Sequence, residues 1–174
     1  EAYGSIFKTS TDSEIIVNLL AHSKKGDLLD ALADCLGSIK GAYSFIFMTK
    51  DSLIGTRDPQ GFRPLVLGKV TSPGQLASIS EGYVLASETC SLDQVGARFV
   101  REVEPGEILR IDSDGLRSIH FVGPREIKPA HCIFEHVYFA RPDSYLFGDS
   151  VHAVRIKLGE QLAIEQPVEA DVVF

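Results

Sequence analysis

Residues 132–144 read CIFEHVYFARPDS. An apolar and aromatic run, Cys132 to Phe139, leads into Arg141-Pro142-Asp143. Such a run bounded by turn residues is expected to be a strand, and a proline that lacks an amide hydrogen ends it in a turn. A helix is expected over 149–164, where Val151, Val154, Leu158 and Leu162 recur on one face. Strand, turn and helix in that order, after a strand-rich middle, point to mixed α and β structure.

Working outward gives the same alternation. Thr11-Asp12-Ser13-Glu14 has the capping-box pattern, in which the Thr hydroxyl and the Glu carboxylate would satisfy each other's free amides at a helix start. Ile15, Ile16, Leu19 and Leu20 follow at helical spacing. After Lys24-Lys25-Gly26-Asp27, a second helix is expected with Leu28, Leu29, Leu32, Cys35, Leu36 and Ile39 inward. Ala42–Met48 and Ser52–Thr56 read as strands paired across Lys50-Asp51, and Asp58-Pro59-Gln60-Gly61 has the residues of a type I turn.

Strands are also expected at Pro64–Leu67 and Tyr83–Ala86, with a short helix at Cys90–Val95. Phe99–Val103, Glu107–Ile111 and Leu116–Phe121 read as a meander, with Asp114-Gly115 as its hairpin signal. Thr71–Ser80 is polar and reads as a surface loop, and Gly123-Pro124 as a domain boundary. The fold class expected is α+β.

Composition narrows the function. At 44% hydrophobic and 24% charged residues the chain can bury a core. A net charge of −7 with scattered basic residues disfavours a nucleic-acid partner. No apolar run reaches the roughly 18 residues of a membrane helix, and the first residues given lack the charged-then-apolar order of a signal peptide, which leaves organelle targeting from further upstream open. Cys35, Cys90 and Cys132 form no CxxC pair, which argues for a reducing compartment and a cytosolic location. The five histidines show no zinc-binding spacing. The chain opens at Glu1 without a methionine and stops in an apolar Val172-Val173-Phe174 run, so it is expected to be an internal segment of a longer polypeptide.

Few residues suggest chemistry by themselves. Asp12 in a first helical turn is already favoured by the macrodipole, by about 0.3–1 kcal/mol. RDPQGFRP, 57–64, reads as a turn whose arginines brace neighbouring carboxylates, and Ser87-Glu88-Thr89 as the cap of a short helix. Cys132 reads as a core thiol. Arg141, Asp143 and Ser144 read as organisers of a join between domains through charge-assisted bonds.

Taken together these stretches carry a resemblance. CIFEHVYFARPDS resembles the segment linking the two domains of the amidophosphoribosyltransferases, which use glutamine to aminate phosphoribosyl diphosphate (PRPP) in purine synthesis. STDSE, 10–14, is similar to the glutaminase motif whose aspartate receives the α-ammonium of glutamine, and RDPQGFRP to a pattern shared by class II glutamine amidotransferases. The resemblance implies that residues 1–127 are the second half of a glutaminase domain, a partial N-terminal-nucleophile αββα sandwich. Residues 128–174 would begin an α/β phosphoribosyltransferase domain.

The implied roles follow residue by residue. Asp12 would bind glutamine. Cys132 matches a position that supplies one thiolate to a [4Fe–4S] cluster in one subtype of the family, and such a cluster needs four thiolates. The nucleophilic cysteine would precede Glu1, and the PRPP loop with its Mg²⁺ would follow Phe174, so the segment alone is expected to be inactive. A homo-oligomer and nucleotide inhibition are further implications. Two rival readings stay open, another class II amidotransferase such as an asparagine synthetase, and a non-catalytic regulatory module. The FARPDS stretch has no known reason to occur in the former.

Overall fold

A computed structural model describes residues 7–70 and 82–172 of the chain. Its elements are α and β mixed, as the sequence suggests, and fall into two compact units interleaved along the chain. One comprises Glu1–Phe62 and Val103–Ala130, the other Arg63–Glu102 and His131–Phe174. The expected Thr71–Ser80 loop and the end of the Val172–Phe174 run lie outside the described residues.

The first unit holds helices α1 (Glu14–His22) and α2 (Leu28–Ser38) and the strands β1 (Ser44–Met48), β2 (Ser52–Arg57), β6 (Glu107–Asp112) and β7 (Gly115–His120). These strands form one antiparallel sheet in the order β1-β2-β6-β7. α2 starts on Asp27, whose carboxylate accepts the amides of Leu29 at 2.9 Å and Asp30 at 3.2 Å, satisfying two of the free donors at a helix start. Leu29, Leu32 and Leu36 then pack against Tyr43, Ile54 and Ile108. Full burial of each leucine stabilises by about 1.5–3 kcal/mol.

At α1 the expected capping box does not form. Ser13, not Thr11, holds the cap position, without a side-chain bond to the helix. Thr11 contributes its carbonyl, which accepts the Glu14 amide at 3.2 Å. Glu14 meanwhile reaches back to Lys8 and Thr9, where three donors outcompete the single amide a capping box would offer.

The second unit contains β3 (Val66–Val70), β4 (Gly82–Ala86) and β5 (Arg98–Glu102) in a sheet ordered β4-β3-β5, and the short helix α3 (Thr89–Gln94). Leu92 of α3 lies so close to Gly68 of β3 that an added Cβ there would sit 2.6 Å from a leucine methyl. The expected meander is broken because β5 pairs with β3; of its three strands, β6 and β7 form a hairpin, closing at Asp112 and Gly115 with Gly115 at φ +111°.

The expected strand 132–139 is instead helical, a π-turn over Glu135–Phe139 in which the Ala140 amide reaches the Glu135 carbonyl at 3.0 Å. Burial explains the difference. Glu135 and His136, adjacent and polar, are both buried, whereas Ile133, Phe134, Val137, Tyr138 and Phe139 are exposed. No strand could place neighbours 135 and 136 on one side, and a short apolar run does not by itself distinguish strand from helix.

Beyond the small hairpin of β8 (Tyr145–Leu146) and β9 (Asp149–Ser150), helix α4 spans Val151–Glu165. Ser150 caps it by accepting the Ala153 amide at 3.4 Å. Val151 is buried with Val66, Leu92, Ala97, Ala140 and Leu146, but Leu158 and Leu162 on the expected inner face are exposed.

Candidate functional site

A cavity of about 690 Å³ lies in the first unit beside the start of α1, with Thr11, Asp12, Ser13, Ile16, Lys40 and Tyr43 among its walls. Asp12 is exposed there, and its carboxylate meets no hydrogen-bond or ion-pair partner among the described residues. Its backbone is nevertheless fixed, since its carbonyl accepts the Ile15 amide at 3.3 Å. Glu14 fixes the loop before it. Its two carboxylate oxygens accept the amides of Lys8 and Thr9, each at 2.9 Å, and the Thr9 hydroxyl at 2.6 Å. Those bonds, the Lys8 amide foremost, hold the Glu14 carboxyl below its ordinary range.

Tyr43 forms part of the wall contributed by the segment after α2. Its phenol donates to the Leu36 carbonyl at 3.2 Å and its ring stacks on Phe45 at 5.2 Å. Burial, and to a lesser degree the Asp58 charge, raise the phenol's pKa well above the tyrosine range, so it stays a neutral donor. The Tyr43 amide in turn donates to Asp58 at 3.1 Å.

The RDPQGFRP turn supports this wall. Asp58 is fully buried and also accepts the amides of Gln60 at 2.9 Å and Phe62 at 3.2 Å. The expected type I turn closes with the Gly61 amide on the Asp58 carbonyl at 2.9 Å. Arg57, equally buried, donates to the carbonyls of Val103 at 2.6 Å and Gly61 at 2.7 Å. Gly61 is required, because it sits at φ +57° and a Cβ would come within 2.7 Å of Pro105 and 2.9 Å of the Arg57 guanidinium. Arg57 thus bonds two backbone carbonyls, and Arg63 meets a carboxylate, as expected of the arginines of this turn, at Glu135 2.8 Å away.

A second polar cluster lies in the other unit. Glu88 holds the N-cap position of α3, but its side chain makes no bond to the helix amides. One of its oxygens accepts the Arg141 amide at 2.8 Å and the Ser144 hydroxyl at 2.9 Å, and the Thr89 hydroxyl accepts the Tyr145 amide at 2.8 Å. Arg141 and Asp143 form a forked pair at 2.9 and 3.0 Å. The ARPDS turn is thereby fastened to the Ser87-Glu88-Thr89 stretch of the same unit. Beneath it, Glu135 is raised by burial, a shift that the Arg63 charge partly offsets. Arg63 pairs with Glu135 by charge, and the buried His136 Nε2 finds no partner among the described residues.

Cys132 is buried and free, as are Cys35 and Cys90. Among the described residues no three His, Cys, Asp or Glu side chains converge as a metal site, so the cysteines among them do not make up a [4Fe–4S] ligand set, and the same holds for a carboxylate site for Mg²⁺. No helix among the described residues is long and apolar enough to cross a membrane. Sequence reasoning had found Asp12 but not Glu14 as the anchor of its loop, nor Tyr43, whose aromatic alternation with Phe45 and Phe47 read only as a strand.

Residues 1–93 match the family model of the glutamine amidotransferase domain. The chain is 48% identical over 171 residues to the chloroplastic amidophosphoribosyltransferase of Glycine max, covering 98% of this chain and 28% of that protein. With the amidophosphoribosyltransferase of Mycobacterium tuberculosis it shares 48% identity over 166 residues, 95% of this chain and 29% of that one. Among solved structures it superposes on the glutamine PRPP amidotransferase from B. subtilis complexed with ADP and GMP, with a TM-score of 0.86 and 44% identity over 98% of this chain and 35% of that one. The chain spans less than a third of the length of these curated relatives. It belongs to the glutamine amidotransferase family, and along nearly all its length it corresponds to a segment of the amidophosphoribosyltransferases.

Proposed function

We propose that this chain serves as the glutamine-binding part of an amidophosphoribosyltransferase, in which Asp12 receives the α-ammonium of glutamine. The observation that carries this is a carboxylate without a partner among the described residues, on the wall of a cavity of about 690 Å³. An ammonium leaving water needs a fixed opposite charge, and a carboxylate with open lone pairs on an anchored loop supplies it.

Within that enzyme, residues 1–127 act as part of an N-terminal-nucleophile glutaminase sandwich and 128–174 as the first elements of the phosphoribosyltransferase domain. A cysteine nucleophile outside this segment releases ammonia from glutamine. The ammonia displaces diphosphate from Mg²⁺-bound PRPP to give 5-phosphoribosylamine, the first committed compound of purine synthesis. Phosphate and metal binding belong to residues outside the segment. The enzyme assembles as a homo-oligomer and responds to nucleotides, a reading supported by the ADP and GMP bound to the B. subtilis relative. A cytosolic setting agrees with the three free thiols.

Cys132 supplies one cluster thiolate only if three more are brought to it, and no step of the reaction is assigned to a cluster. The test is a full-length assay with glutamine and PRPP. Phosphoribosylamine should form, and Asp12→Asn should raise the KM for glutamine. Absence of glutamine-dependent product would refute the enzyme, and glutamine hydrolysis by residues 1–174 alone would refute the location of the nucleophile outside the segment.

A further inference from the structure

Asp12 and Glu14 stand two residues apart at one helix start and do opposite things. We infer that Glu14 is a positioning residue for glutamine binding, latching the loop Lys8–Glu14 so that Asp12 waits at the cavity with its carboxylate unspent. The inference rests on the assignment of Asp12 as the ammonium acceptor.

The geometry is a closed circuit. Glu14 reaches back six residues to the Lys8 amide and five to the Thr9 amide and hydroxyl. The Thr9 hydroxyl passes the restraint on, accepting the Thr11 amide at 3.2 Å. From the other side the Glu14 and Ile15 amides hold the carbonyls of Thr11 and Asp12 at 3.2 and 3.3 Å. Asp12 is therefore held through its backbone on both sides while its side chain makes no bond among the described residues.

That division of work has a chemical reason. Free amides at a helix start attract whichever carboxylate is near. If Asp12 turned inward to satisfy the loop, its lone pairs would be taken before a ligand arrived. Glu14, one methylene longer, satisfies the Lys8 and Thr9 amides and leaves Asp12 open. A loop ordered in advance also removes an entropic cost from ligand binding.

Two variants and two readouts test this. In Glu14→Gln one acceptor oxygen becomes an NH₂ group facing a donor, so one branch of the latch must open. Amide hydrogen exchange in the full-length enzyme should speed up by about tenfold at Lys8 or at Thr9, whichever branch opens, in Glu14→Gln. Thr9→Val, which removes only the hydroxyl, should do so at Thr11 and by less. Unchanged exchange at Lys8 and Thr9 in Glu14→Gln would overturn the latch itself.

In the full-length enzyme, Glu14→Gln should raise the KM for glutamine about tenfold with kcat altered less than about twofold. Made in an Asp12→Asn background it should add less than about twofold, because its effect runs through Asp12. Equal, additive effects in the two backgrounds would overturn the positioning role. The two failures are distinguishable. A raised KM in Asp12→Asn with none in Glu14→Gln defeats the positioning of Asp12 by Glu14 alone, whereas an unchanged KM in Asp12→Asn defeats the assignment of Asp12 as well.

Discussion

Asp12 and Asp58 are both loop aspartates of the first compact unit, each at the head of a motif, and their surroundings are opposite. Asp58 has no exposed surface, and the amides of Tyr43, Gln60 and Phe62 donate to it. Asp12 is exposed on a cavity wall, and its carboxylate accepts nothing from the described residues. A carboxylate saturated by local amides has no lone pair to offer a ligand, so Asp58 can only shape the wall behind Tyr43. One left open has its backbone secured by neighbours and its charge in reserve. The two motifs look alike in sequence, and the count of internal donors is what sets the two carboxylates apart.

The largest effect expected is on stability, at Asp58. Asp58→Ala would leave three buried amides without an acceptor, and breaking a buried charged network by removing one partner costs about 3–5 kcal/mol. Urea denaturation of the chain should show a much lower midpoint. Asp58→Asn, which keeps the shape, should lose less. A loss under about 1 kcal/mol in Asp58→Ala would break the contrast, because Asp58 would then be as dispensable to the fold as Asp12.

Next in size is Gly61→Ala, which tests the same turn without touching a charge. Left-handed backbone at φ +57° and a Cβ 2.7 Å from Pro105 together should cost about 1–3 kcal/mol. The same denaturation series measures it, and an unchanged midpoint would mean that the turn relaxes freely.

The contrast also marks how far the sequence could be read. α1, α2 and the β1–β2 pair were legible because leucines and isoleucines recur with the right period and Lys50-Asp51 separates two short runs. β5 was misplaced into a meander because strand periodicity carries no record of which sheet a strand joins, and here the pairing goes to β3. The run 132–139 was misread for a different reason. Its polar pair, Glu135 and His136, is the buried part, and the ion pair with Arg63, 72 residues away in sequence, is not visible in any local window. Asp12 was legible only through resemblance, since its lack of an internal partner is a property of the folded loop. Glu14 was legible as a capping residue but its partners were not, because a back-bond over five and six residues follows no helical period.

A smaller effect on stability is expected at Asp12. Asp12→Asn alters an exposed side chain without partners among the described residues, so the unfolding free energy should stay within about 0.5 kcal/mol of the parent. Glutamine binding should suffer instead, by about tenfold or more, as for loss of a charge-assisted bond. Stability in denaturant and KM in the full-length enzyme, measured on the same variant, separate the two. A large loss of stability would show that Asp12 is architectural after all.

The smallest effect, and the one that sharpens the comparison, is in the pH dependence, where Glu14 and Glu135 should act with opposite sign. Glu14 is held below its ordinary value of 4.5 by its bonds to Lys8 and Thr9. Folding therefore favours its ionised form, and that contribution is complete above 4.5 and fades as pH falls through the depressed value. Glu135 is raised above 4.5 by burial despite the Arg63 charge. In the window between 4.5 and its raised value the folded chain binds the extra proton, so stability falls as pH rises through that window. Unfolding midpoints followed from about pH 3 to 7 should lose part of their low-pH slope in Glu14→Gln and part of their opposing slope in Glu135→Gln. If Glu14→Gln leaves the low-pH limb unchanged, the carboxylate beside Asp12 is not bonded to its loop in solution, and the difference between an anchored acid and an open one would have to be sought elsewhere in the unit.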